Sequence, residues 1–132
     1  NVLDIFVDGG ARGNPGPAGG GFAAFKGVEN VLQGSEFYGV KTNNQAEYLA
    51  LRTALREIYG KFPDANINCF MDSQLVVEQM SGNYKVKSEK IRPIFEEVRR
   101  IADQFKSFTL SHIEREQNGL ADGLANRAMD QR

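Results

Sequence analysis

Two short apolar runs, VLDIFVD at residues 2–8 and ANINCFMD at residues 65–72, each end in an aspartate, and a long amphipathic segment lies between them. A strand joined through a helix to a second strand implies a parallel pair with a right-handed crossover, the unit of an α/β fold. If the two runs lie side by side, Asp8 and Asp72 project together from their carboxyl ends, the edge at which open α/β sheets hold ligands. A buried carboxylate is costly unless it is paired or bound to a cation. Asp8 and Asp72 therefore either form turns through their side chains or hold a metal or a proton.

The other elements follow from periodicity and turn residues. A glycine- and proline-rich turn is expected in GGARGNPGPAGG, after the first strand. GGFAAFKG and VLQGSEFYGV read as two further strands joined by a hairpin at GVEN. In TNNQAEYLALRTALREIYGKF, Ala46, Leu49, Ala50, Ala54, Leu55 and Ile58 recur at helical spacing, with Thr42 or Asn43 as N-cap and Gly60 as the stop. SQLVVEQMSG reads as a short helix stopped by Gly82. SEKIRPIFEEVRRIADQF is a longer helix that Pro93 makes begin late or bend. SFTLSHI is the last strand, and NGLADGLANRAMD a final helix capped at Asn118. The predicted order is β-β-β-α-β-α-α-β-α: an α/β fold with a mixed five-stranded sheet, an antiparallel meander plus parallel strands, flanked by helices. The 132 residues suit one domain, 1–132, with one hydrophobic core.

Composition excludes some classes of function. The net charge is −1, whereas nucleic-acid binders usually carry a basic surplus; such a role requires acids gathered in one place and lysines in another. The single cysteine, Cys69, sits in an apolar run, allows no intramolecular disulfide and fits a reducing, cytoplasmic setting. No apolar stretch is long enough to span a membrane and no secretory leader is visible.

Two more acids join the first pair. Glu47 lies about one turn into the helix that leads to the fourth strand, and Asp122 one turn into the last helix. Either alone could merely complement a helix dipole. Together, four acids from four elements converge on one edge, among amide-bearing neighbours in NNQAE, DSQ and NGLAD that can donate to phosphate. A site rich in oxygen and without His or Cys suits Mg²⁺ or Mn²⁺ rather than zinc. Two such ions recur in phosphodiester hydrolysis.

The blocks FVDGGARGNPGPAG, TNNQAEYLAL, MDSQLVVEQMSGNYKVK and HIEREQNGLADGLAN resemble, in order and over nearly the whole chain, the type 1 ribonuclease H family. The similarity is to its compact branch, which lacks a basic handle and is often labelled reverse-transcriptase-like. The resemblance implies a ribonuclease H-like fold and a catalytic, metal-binding set of Asp8, Glu47, Asp72 and Asp122, with Asp8 bridging two ions. It further implies endonucleolytic hydrolysis of the RNA strand of RNA/DNA hybrids, leaving 5′-phosphate and 3′-hydroxyl ends, by a monomer. An RNA/RNA duplex is a second candidate partner. By the same resemblance, Gly9, Gly10, Asn14, Thr42, Asn43, Gln74 and Asn118 fall at substrate-binding positions, where side-chain amides suit 2′-hydroxyls and phosphates. Arg12, Lys85 and Lys87 could meet phosphates of the DNA strand.

The chain departs from better-known members at two places. A flexible Gly/His loop before the last helix is missing: His112 lies inside the strand LSHI, and Arg115 or Glu116 is the candidate for an auxiliary role. GNYKVKSEK stands where others have the handle, so affinity for substrate should rest on few lysines. A binding module without turnover is the alternative of a different class, but it would gain nothing from negative charge facing phosphate.

Overall fold

The computed structural model describes residues 1–131. Its elements are β1 (Val2–Ala11), β2 (Gly16–Lys26), β3 (Glu29–Lys41), α1 (Asn43–Lys61), β4 (Asn66–Met71), α2 (Gln74–Met80), α3 (Arg92–Gln104), β5 (Ser107–His112), a 3₁₀ turn (Arg115–Asn118) and α4 (Gly119–Asp130). The strands form one sheet in the order β3-β2-β1-β4-β5. The β1–β2 and β2–β3 pairs are antiparallel, and the β1–β4 and β4–β5 pairs are parallel. The mixed sheet expected from the sequence is present.

Strand periodicity sorts the side chains. Leu3, Ile5 and Val7 of β1 and Ile67, Cys69 and Met71 of β4 are fully or almost fully buried, in one core with Leu51, Leu55 and Ile58 of α1. On the opposite face Phe6 stacks on Phe70 at 5.3 Å and meets Phe25 edge-on at 6.0 Å. Of the two N-cap candidates for α1, the structure selects Thr42. Its hydroxyl accepts from the Gln45 backbone at 3.2 Å, and the Gln45 side chain accepts from the Thr42 backbone at 2.9 Å. This capping box fixes where α1 begins, and so where Glu47 falls.

Several boundaries differ from expectation. The long glycine turn is short: β1 runs on to Ala11 and β2 starts at Gly16, so most of the glycines lie within the sheet. Gly20 and Gly21 are required by close approach. A Cβ on Gly20 would stand 2.6 Å from the Ala50 Cβ of α1, and one on Gly21 2.6 Å from the Ala125 nitrogen of α4. Adjacent residues of a strand point to opposite faces, so α1 and α4 clasp β2 from both sides. The hairpin turn is Gly27–Val28, with Gly27 at φ 61°, as a two-residue turn favours. Gly60 does not stop α1, which ends at Lys61 with Phe62 as C-cap. α3 does begin late, with Pro93 in its first turn, where its missing N–H costs nothing. Among the described residues no helix is long and apolar enough to cross a membrane.

Candidate active site

β1 and β4 pair as far as Phe6 with Phe70 and then diverge. Asp8 sits just past that point, not at the end of β1 but inside it, opposite Gly21 of β2. Asp72 follows the last residue of β4. Glu47 comes from the second turn of α1, and Asp122 from the first turn of α4. All four line one cleft of about 390 Å³, together with Gly9, Gly10, Arg12, Asn43, Arg115 and Asn126. Four elements distant in sequence thus deliver their acids to one opening.

Neutral side chains fix these elements to one another. Asn14 Oδ1 accepts from the Asn43 backbone at 3.0 Å, and Asn43 Oδ1 accepts from the Ala11 backbone at 3.2 Å. The turn after β1 is thereby laced to the start of α1. Asn118 Nδ2 donates to the Val7 carbonyl at 2.9 Å, which ties the start of α4 to the strand residue before Asp8. Ser73 caps α2 by accepting from the Val76 backbone at 3.3 Å, and it also hydrogen-bonds Glu47.

Burial and the charge of neighbouring acids make Asp8 and Glu47 reluctant to ionise. Burial pushes the Asp8 carboxyl up to about 8, reinforced by the charge of Asp72 and by the hydrogen bond and charge of Asp122, against one hydrogen bond from the Gly9 backbone. Burial likewise raises Glu47 to about 7; the Ser73 hydrogen bond opposes this and the Asp72 charge adds to it. Such a cluster is relieved by a proton or by a cation. Among the described residues no three His, Cys, Asp or Glu side chains are gathered as a ready site for one ion. The acids instead neighbour one another pairwise around the opening (Asp8 with Asp122, Asp8 with Asp72, Asp72 with Glu47). The donors are all carboxylate oxygens, a set that fits a hard divalent cation.

A family model described as reverse transcriptase-like matches residues 6–128. The chain is 33% identical to a ribonuclease H of Hydrogenovibrio crunogenus, over 98% of this chain and 96% of that protein. The chain belongs to the ribonuclease H family. It is 39% identical to a bifunctional protein of Mycobacterium tuberculosis over 96% of this chain, but it spans only 35% of that relative's length. The crystal structure of LC11-RNase H1 in complex with RNA/DNA hybrid matches with a TM-score of 0.92 at 38% identity, over 98% of this chain and 97% of that one. In type and branch the chain follows the type 1 ribonucleases H that it resembles.

Within this ribonuclease H fold the expected substrate residues separate. Gly9, Gly10, Arg12 and Asn43 line the acid cleft, as does Arg115 of the two auxiliary candidates. Asn14 and Thr42 brace the α1 N-terminus beside it. Gln74, Glu116 and His112 are exposed and do not line the cleft. Asn118 is 1% exposed; contrary to expectation it is a brace, because its amide is bound to β1. Lys85 and Lys87 line a separate cavity of about 460 Å³ with Tyr84 and Phe95, and the structure does not bring them to the acids. Asn126 was not foreseen, although it stands one helical turn from Asp122 and so on the same face of α4.

Proposed function

We propose that this protein is a metal-dependent endoribonuclease that hydrolyses the RNA strand of RNA/DNA hybrids, leaving 5′-phosphate and 3′-hydroxyl ends. The observation that carries this reading is the set of four carboxylates from four elements lining one cleft. Asp8, Glu47, Asp72 and Asp122 would hold two divalent ions, Mg²⁺ or Mn²⁺, which when bound supply the Lewis-acid charge that phosphodiester hydrolysis needs. The reluctance of Asp8 and Glu47 to ionise supports a cation as their partner. Arg12 and Arg115, the cations among the described residues of the cleft, would meet backbone phosphates of the bound hybrid. Asn43 and the glycine backbone beside it would face the 2′-hydroxyls, which distinguish RNA from DNA.

The LC11 relative's hybrid complex supports the choice of substrate, and the absence of a basic surplus supports a reader of shape and 2′-hydroxyls over a general duplex binder. We read the protein as a monomer. The buried thiol of Cys69 suits the reducing cytoplasm. The test is incubation with labelled RNA/DNA, RNA/RNA and DNA/DNA duplexes in Mg²⁺, Mn²⁺ or EDTA. Cleavage of the RNA strand of the hybrid, abolished by EDTA, is expected. Equal cutting of DNA/DNA, or full activity in EDTA, would overturn the reading.

A further inference from the structure

Arg12 reaches the acid cleft from the turn after β1, yet the far end of α4 already engages its charge. Its Nη1 lies 2.7 Å from Asp130 Oδ1. Its Nη2 donates to Asn126 Oδ1 at 3.2 Å and to the Asn126 carbonyl at 3.4 Å. Asn126 in turn donates to the Asp122 carbonyl at 3.0 Å. Arg12 and Asn126 line the cleft, whereas Asp130 lies outside it. One edge of the guanidinium is therefore held by a neutral amide of the site, and the other is covered by an anion that is not part of the site.

The side chains of Arg12 and Asp130 are 41% and 62% exposed. An ion pair so open to water adds little to stability. It is also easily exchanged, since a phosphate offers a guanidinium the same kind of oxygen pair as a carboxylate.

We propose that Asp130 is a stand-in for a substrate phosphate: it occupies Arg12 in the free protein and gives it up to the backbone of the bound strand, while Asn126 keeps the guanidinium at the cleft. This rests on the reading of the cleft as a hybrid-cleaving site. The exchange has a distinct salt signature. A phosphate neutralised by a free cation releases a counterion and adds about −0.9 to the slope of log affinity against log salt. When Arg12 leaves Asp130 for a phosphate, it must first open an ion pair that salt itself weakens, so this cost falls as salt rises and offsets part of that slope. Arg12 thus adds less to salt-sensitive, non-specific attraction than a free cation would.

The experiment is a salt titration of RNA/DNA hybrid binding in the Asp72→Asn background, with Asp130→Asn, Arg12→Ala and the two combined. Asp130→Asn should tighten binding about two- to fivefold at low salt, and the gain should shrink as salt rises, which steepens the slope. With Arg12→Ala already in place, the same change should alter affinity by less than about twofold, because the remaining charge effect is screened, and should leave the slope alone. Weaker binding on Asp130→Asn would make Asp130 a brace and overturn the proposal, as would an equal gain without Arg12. If the unmodified chain cuts hybrid but the slope does not steepen, the stand-in role alone fails. If it neither binds nor cuts hybrid, the parent reading fails and takes this one with it.

Discussion

At the scale of single residues, Asp8 has the most to say about conditions. Its carboxyl keeps a proton up to about 8 in the folded chain but only to about 3.8 as a free side chain. Between those values the folded state binds more protons than the unfolded one. This contribution to metal-free stability is therefore complete below the lower value and is lost as pH rises through the upper. Glu47, raised to about 7, acts in the same direction. Burial pushes Glu97 up, but Arg52 and Arg56 outweigh it and hold that carboxyl low, so its opposite effect falls at more acidic pH. In EDTA the melting temperature should fall between about pH 5 and about pH 8, and Asp8→Asn should flatten the decline; a rise over that span in the unmodified protein would contradict the burial of these acids. Asp72→Asn is nearly isosteric and removes one anionic ligand, so turnover of hybrid should drop by about a hundredfold or more with the fold retained. A rate within about threefold of the unmodified protein would take Asp72 out of the site. The four acids were legible because each stands near the end of an apolar run or in the first turns of a helix, and topology sends those places to one edge; that β1 runs on past Asp8 was not legible. Arg12 and Asn126 are 114 residues apart, and no local pattern announces such a contact.

The elements were legible in kind and order, less so in extent. Glycines after an apolar run look the same in sequence whether the chain turns or a helix presses on a strand, and β2 is the second case. Two substitutions of one type should therefore have opposite signs. Gly21→Ala places a methyl 2.6 Å from the Ala125 nitrogen, against backbone that cannot step aside, and should lower the melting temperature by several degrees, of the order expected for overpacking. Gly60 lies in α1 with open space where a Cβ would go. Gly60→Ala should add about 0.5–1 kcal/mol by restricting the unfolded chain. Paired thermal melts decide both: a stabilising Gly21→Ala would mean that α4 does not bear on β2 as described. The caps were easier to read, since Thr42 and Gln45 carry their signal within one turn.

At the scale of the whole molecule, four acids share one cleft while Lys85 and Lys87 line another, an arrangement that a net charge of −1 conceals. If the cleft binds divalent ions, Mg²⁺ or Mn²⁺ at millimolar concentration should raise the melting temperature by mass action, and the Asp72→Asn variant should respond less; no shift would count against a shared cation site. Lys85 and Lys87 lie together in a cavity of their own. As a second patch for nucleic acid, the pair replaced by alanine should weaken hybrid binding and flatten its salt slope by about two units, and an unchanged slope would place them off the binding face. The strand β2 links these scales. Glu47 rides on the helix that touches Gly20, and Asp122 on the helix that touches Gly21 from the other side. The spacing of these two acids is thus gauged by the thickness of bare backbone. A methyl slipped into that gap is a wedge between two halves of the proposed active site, where misplacement by about 1 Å can cost a hundredfold in rate. The bare strand works as a calliper, so turnover should register its thickening before the melting temperature does.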